Sequence, residues 1–539
     1  MHDYDVLIIG GYSLGDSSPG AEVRDSIRLS YKNHYASLDF IKFLVESKGD
    51  LNLAESNYRE GNRSRLVGRP LNSIYLYDFL NRNGIRTESV GYFLLEQNRF
   101  RDLMAAGPKV VAISTTFIED AQKVVEIARA ARELSPTSVI VVGGVKILKD
   151  FRKYSLFNQG YFEAWDKEAL SAHSFFLNEE LDKKLDALVI EECGELTLLE
   201  IARKILAGQD FRTSPNISYR AKGSLIFTER IREPYSFDKN IIRWDEIPRD
   251  MIGYDIPVRA GMGCPFKCSF CDFAGLHRVK LRTPESIIEE LALIHRSFPE
   301  AHVFFTDDNL FTTRKRTKDL AVAMARAGLK IPWHAFFRTD AISGENAELL
   351  AESGCFNALL GIESGDDTVL RNMNKRATRE QNLKAVEHLN RHGISTISTM
   401  IVGFPGETTE SVDSTISLLN SYPDTEYPIN KYYPFVFVVL PLAPINSPLN
   451  RKRYAITGGY SKWAHSTMDS ATASDEFLRL FREVKVPSVA YLEYIDPDIP
   501  ASKLAQISRT RDGIVKTRIR VIDKSNVQTV YESFKRILG

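Results

Sequence analysis

Cysteine, tryptophan and methionine are scarce in this chain: five, four and eight of 539 residues. Five cysteines exclude a secreted disulfide framework, because three fall between positions 264 and 271 and any pairing leaves one over. Neither charge sign is in excess. Lys+Arg and Asp+Glu are both 70 and the isoelectric point is about 7.2, which removes the long-range attraction that draws a protein to nucleic acid or anionic membrane. No apolar run approaches the roughly 18–20 residues a membrane span requires. Internal repeats and low-complexity tracts are also missing. The opening Met1-His2-Asp3-Tyr4-Asp5 is acidic where a signal peptide is basic, so the expected location is the cytoplasm. Gly10-Gly11-x-x-x-Gly15 departs from the G-x-G-x-x-G spacing of nicotinamide sites.

What remains is an ordinary globular balance, 43% hydrophobic and 26% charged, in a chain too long for one core. From Tyr4 to about Ile231 uniformly apolar runs alternate with helical patterns. Asp5–Gly11, Lys109–Thr116, Ser138–Gly144 and Ala187–Ile190 read as buried strands, and Leu71–Asn83, Asp120–Leu134 and Leu196–Leu206 as helices. That alternation predicts a parallel sheet covered on both faces, which binds ligands beyond its carboxyl strand ends. A second series runs from about Pro257 to Leu442. Strands are expected at Val258–Gly261, His302–Thr306, Trp333–Phe337, Ala358–Gly361, Thr396–Val402 and Tyr433–Leu440, with helices between them. Six βα units in one direction predict a parallel barrel, complete or partial, working at its carboxyl mouth. The expected domains are 1–235 with insertions at 12–70 and 146–184, then 236–442, then a small α+β region at 443–539.

The first strand of the second series leads into Gly263-Cys264-Pro265-Phe266-Lys267-Cys268-Ser269-Phe270-Cys271. Three thiolates at C-x3-C-x2-C in one loop suit a soft metal centre. Structural zinc takes four ligands, and Cys193 and Cys355 are lone residues in other units. Zinc completed by His277 stays open beside a cubane with one vacant iron.

The loop resembles that of the radical S-adenosylmethionine (SAM) superfamily, C-x3-C-x-aromatic-C, with Phe270 as the aromatic. The resemblance implies that Cys264, Cys268 and Cys271 hold a 4Fe–4S cluster whose open iron binds SAM. It places Arg338, Glu363, Ser364, Ser398, Ile401 and Gly403, with Phe270, around that ligand, and Asp308 near the substrate. Helix capping by Asp307 and Asp308, and a structural ion pair at Arg338, are competing roles.

A Rossmann-like domain directly before such a barrel is similar to the cobalamin-binding branch of the superfamily. The resemblance then implies a corrinoid on the strand ends of the first domain. Ser13, Leu14, Ser114, Thr115, Thr116, Phe117, Gly143, Gly144, Val145, Glu191, Glu192 and Gly194 would line it. The Asp-x-His-x-x-Gly cobalt-ligand motif is missing, and Phe117 is the expected lower-face neighbour.

The implied activity is a methyl transfer from SAM, through methylcobalamin, to an unactivated carbon or phosphorus of a small molecule. An external electron donor of flavodoxin or ferredoxin type would serve it. Tyr432, Trp463 and His465 fall on the substrate side by position, with core packing as the alternative. Radical cyclisation, oxidation or rearrangement, with cobalamin in another role or absent, and a non-catalytic corrinoid-binding module are the other classes left open. Oligomeric state has no signature here.

Overall fold

The structure is a computed structural model that describes residues 4–13, 21–32, 34–60, 68–162, 170, 173–273, 275–310, 313–489 and 499–539. Leu14 lies outside them. The chain divides into two compact units: Met1–Ser18, Gly68–Gly253 and Leu276–Phe298 in one, and Pro19–Val67, Tyr254–Gly275 and Pro299–Gly539 in the other.

The first unit is built on a seven-stranded sheet. Its strands are β1 (Val6–Gly11), β2 (Thr87–Tyr92), β3 (Val110–Phe117), β4 (Val139–Gly143), β5 (Ala187–Val189), β6 (Ile217–Ala221) and β7 (Ser224–Phe227). The spatial order is β2-β1-β3-β4-β5-β6-β7, parallel as far as β5. The uniformly apolar strands are explained by burial on both faces. Leu7, Ile9, Val111, Ile113, Ile140 and Val142 enter one core cluster, whereas Val6, Ile8, Val110, Ala112 and Val141 enter the other.

In this sheet two features differ from the sequence expectation. Strand β2, Thr-Glu-Ser-Val-Gly-Tyr, has too few apolar residues to read as buried, yet it pairs with β1 in register. Strands β6 and β7 run antiparallel, joined through Lys222 and Gly223, both at positive φ (51° and 81°). This is the left-handed two-residue turn that matches strand twist. The stretch 146–184 holds helix Val145–Asn158, which starts directly after Gly144.

Because the chain places β2 on one side of β1 and β3 on the other, the sheet's switch point lies between the carboxyl ends of β1 and β3. That is where open α/β sheets leave a ligand crevice. The β1–β3 register jumps there, from Ile9↔Ile113 to Gly11↔Phe117, so Ser114–Thr116 bulge out of the ladder.

The second unit is built on a six-stranded sheet in sequential order: β8 (Asp255–Val258), β9 (His302–Phe305), β10 (Trp333–Phe337), β11 (Cys355–Glu363), β12 (Ser395–Val402) and β13 (Asn430–Val436). All neighbours are parallel. Strands β8 and β13 are its edges, so the barrel is partial among the described residues. The helices between strands start at the expected caps. Thr378 and Thr408 each form a reciprocal capping box with the residue three positions on.

Register assigns two faces. Val303, Ala335, Ala358, Leu360, Met400 and Tyr432 are fully or almost fully buried, whereas Phe336 on the other face is 37% exposed. The C-terminal part contributes a short hairpin (Thr457–Gly459 and Lys462–Ala464) and helices Ser470–Glu483, Ala501–Lys516 and Val527–Leu538. Strand Val521–Ile522 pairs with Ser30–Tyr31, within the same unit.

Candidate active site

The cysteine loop leaves β8 through Gly263, at φ 78°, a conformation only glycine takes without strain. It is laced to two other segments. Ser269 N donates to Met373 O at 2.8 Å, Ile445 N to Ser269 O at 2.8 Å, and Asn374 Nδ2 to Lys267 O at 2.8 Å. Ahead of the loop, the buried carboxylate of Asp307 accepts from Ala260 N at 2.9 Å, and burial pushes its pKa up to about 7. Asp307 thus braces the loop rather than capping a helix.

Cys268 is buried, and Cys264 and Cys271 are half-buried. Desolvation raises the Cys264 thiol and pushes Cys271 up to about 12, so a metal must displace protons to bind here. Among the described residues no three His, Cys, Asp or Glu side chains are grouped to hold a single metal ion. A cubane would take one thiolate at each of three irons. Three thiols on one braced loop are a donor set that fits a 4Fe–4S cluster.

Two cations flank the loop. The guanidinium of Arg338, just past β10, lies 3.8 Å over the Phe266 ring, and its Nη1 donates to Cys268 Sγ at 3.5 Å. Lys375 Nζ sits 5.8 Å from the Phe270 ring and donates to Glu363 Oε1 at 2.8 Å. Thr399 Oγ1 donates to Glu363 Oε2 at 3.2 Å. The backbone is strained at this spot: Glu363, Asn374 and Arg376 have φ 69°, 53° and 57°. Left-handed non-glycine residues cost energy and cluster where function holds them.

The structure therefore brings together Cys268, Phe270, Arg338 and Glu363 from the sequence expectation. It adds Lys375 and Thr399, which carry no sequence signal. Asn309, four residues past the carboxyl end of β9, is a buried side chain. Neither its amide nitrogen nor its oxygen has a hydrogen-bond partner. Asp308 is exposed, and its charge raises both Cys264 and Cys271.

Ser398, Ser364 and Tyr432 turn elsewhere. Ser398 Oγ pairs with Tyr422 Oη at 3.0 Å on the face opposite Thr399. Ser364 Oγ accepts from Asp366 N at 3.1 Å and lies 3.4 Å from Thr415 Oγ1. Tyr432 is wholly buried. Ile401 is half-buried and shares the Thr399 face, where it pairs with Phe435.

Trp463 and His465 stack at 5.0 Å and donate to backbone. Trp463 Nε1 bonds Phe437 O at 2.8 Å, and His465 Nε2 is 3.0 Å from Gly403 O. Together they support the turn at Gly403, whose φ is 93° and where a Cβ would lie 2.6 Å from Ala473 Cβ.

In the first unit, Asn72 Nδ2 spans the switch point, donating to Gly10 O at 2.8 Å and Ser114 Oγ at 2.7 Å, while its Oδ1 is buried without a partner. Ser13 and Thr116 are half-buried. Thr115 Oγ1 donates to Gly143 O at 2.8 Å and stitches β3 to β4. Phe117 is 51% exposed, and Leu94 and Leu95, just beyond β2, are exposed too.

Gly144 has φ 105°, and a Cβ there would lie 3.0 Å from Thr115 N. Gly144 and Gly194 begin helices at Val145 and Glu195 without any side-chain cap. Glu191 is 3.8 Å from Arg230, with its carboxyl raised by burial, and Glu192 is 4.0 Å from Lys280. An apolar rim, close-approach glycines and uncapped helix starts on one sheet edge fit a large ring with an anionic tail.

Residues 258–419 match the sequence profile of the radical SAM superfamily, and the chain carries a radical SAM domain. It is 30% identical over 243 residues to an uncharacterized methyltransferase of Pyrococcus horikoshii, covering 43% of this chain and 52% of that protein. It is 23% identical over 393 residues to the anaerobic magnesium-protoporphyrin IX monomethyl ester cyclase of Rubrivivax gelatinosus, covering 68% of this chain and 65% of the cyclase. The aligned segments thus span about half to two thirds of these relatives.

Among solved structures, the radical SAM methyltransferase TsrM of Kitasatospora setae, with cobalamin and a [4Fe-4S] cluster bound, superposes with a TM-score of 0.59 at 13% identity. That superposition covers 99% of both chains, and it is a likeness of fold.

Proposed function

We propose that this protein is a cobalamin-dependent radical SAM methyltransferase acting on a small molecule. The observation that carries the reading is the braced loop of Cys264, Cys268 and Cys271, at the carboxyl end of a six-strand parallel sheet, beside the Lys375–Glu363 pair. The relative named as a methyltransferase and the TsrM likeness support it. When bound, the cluster and SAM supply a reductively generated adenosyl radical, and the corrinoid supplies a methyl carrier.

This chain's residues then have separate tasks. Cys264, Cys268 and Cys271 hold the cluster. Glu363, fixed by Lys375 and Thr399, is the carboxylate for the SAM amino group or ribose, and Asn309 offers both a donor and an acceptor to what lies over β9. Gly143, Gly144 and Gly194 admit the corrinoid, Ser114 and Thr116 bond its polar edge, and exposed Phe117 packs on its ring. Within the expected 1–235, residues 1–18 and 68–235 form the corrinoid domain in this reading, while 19–67 belong with the second unit; 236–442 are the radical domain and 443–539 the cover over substrate. An electron donor of flavodoxin or ferredoxin type completes the cycle.

The test is anaerobic reconstitution followed by incubation with reductant and SAM labelled in its methyl group. Label on the bound corrinoid together with 5′-deoxyadenosine supports the reading. Cys268→Ala is expected to abolish adenosyl cleavage and spare corrinoid content, and retained cleavage contradicts the cluster assignment. A second reading, radical cyclisation, has a specific support in the cyclase that aligns over 68% of the chain. Deoxyadenosine without label on the corrinoid selects it.

A further inference from the structure

Arg338 is held from four sides. Its Nε donates to Asp340 Oδ1 at 3.0 Å, its Nη2 bonds both Asp340 Oδ2, at 3.3 Å, and the Lys375 carbonyl, its plane covers Phe266, and its Nη1 points at Cys268 Sγ. The Lys375 carbonyl is presented by a turn whose Asn374 and Arg376 both have positive φ. With the side chain 7% exposed and all three of its nitrogens engaged, the guanidinium would have to give up these bonds to reach a carboxylate elsewhere.

We propose that Arg338 is a positioning residue of the cluster, and that it sets the cluster's reduction potential through its N–H···S bond to Cys268 instead of binding SAM. The inference rests on the cluster reading above. The redox step is the uptake of one electron by the cubane, from its 2+ to its 1+ state, from an external low-potential one-electron donor. A cation and a hydrogen bond at a ligand sulfur stabilise the added negative charge, and so raise the potential. Arginine suits the position because its planar fork satisfies Asp340, a carbonyl and a sulfur at once, which a lysine ammonium cannot do.

The experiment uses the full-length protein, reconstituted anaerobically as wild type, Arg338→Gln and Arg338→Lys. Iron and sulfide content, the midpoint potential from an EPR-monitored redox titration, and the SAM dissociation constant from equilibrium dialysis are measured on each. Arg338→Gln is expected to keep its iron and its SAM affinity. Its reduced-to-oxidised ratio at a fixed potential should fall about tenfold, a negative shift of about 59 mV for a one-electron couple. Arg338→Lys should fall between the two.

An unchanged potential with SAM affinity weakened tenfold or more overturns the proposal and makes Arg338 a SAM ligand. Loss of iron from both variants but not from the wild type overturns it as well, in favour of a role in assembly. A wild-type protein that takes up no iron defeats the underlying cluster reading instead, and is told apart by that measurement alone.

Discussion

Lys375 has no sequence signature, yet it donates to Glu363 beside the ring of Phe270. Both side chains are buried, where an ion pair keeps its worth only if neither partner is removed. Lys375→Met leaves Glu363 with Thr399 alone, and a lost hydrogen bond to a charged group costs about 1.5–3 kcal/mol. Equilibrium dialysis of the reconstituted variant is expected to show SAM affinity lowered roughly 10- to 100-fold at unchanged iron content. Wild-type affinity would remove Glu363 from the SAM site.

The cysteines were legible because their spacing is local and their chemistry follows from it. The face of a strand residue was not. Strand β12 reads Ser-Thr-Ile-Ser-Thr-Met-Ile-Val, with hydroxyls on both parities, so sequence could not choose between Ser398 and Thr399. The β11–β12 register, shifted between Gly361 and Glu363, sets Thr399 against the carboxylate and turns Ser398 to Tyr422.

At the scale of elements, most apolar strands and capped helices emerged from the sequence near their observed bounds, but β8 lies at Asp255–Val258 where Val258–Gly261 was expected, and β13 at Asn430–Val436 where Tyr433–Leu440 was expected. Helix Ala121–Leu134, behind its cap Asp120, is one example of close agreement. What escaped were segments whose pairing, not composition, makes them strands: β2, and the β6–β7 hairpin with its Lys-Gly turn.

Glu407 is buried, its carboxylate accepts from Gly403 N, and burial pushes its pKa up to about 8 from an ordinary 4.5. The folded chain thus retains a proton there that the unfolded chain releases. The resulting stabilisation is complete below the unfolded value and is lost as pH rises through about 8. Glu407→Gln keeps an acceptor for Gly403 and removes the titration. Its melting temperature is therefore expected to decline less between pH 6 and 9 than the wild type's. The slope should not vanish, since Asp307 and Glu233, each pushed up to about 7, still titrate. Identical slopes would contradict the burial argument.

Across the whole molecule, one mixed and one wholly parallel sheet each gather polar and glycine residues at the carboxyl ends of their parallel strands. One edge has an apolar rim and uncapped helix starts; the other has three thiols and a strained, charge-paired shelf. Neither assembly is required to fold an α/β sheet, and each is chemically matched to a different cofactor.

The most direct test of the account is the EPR spectrum of the anaerobically reconstituted, chemically reduced protein, recorded with and without SAM. A three-cysteine cubane with an open iron predicts about four irons per chain and an S = 1/2 signal whose g-values move when SAM is added. Zinc at the trio, no iron, or a signal indifferent to SAM would contradict it.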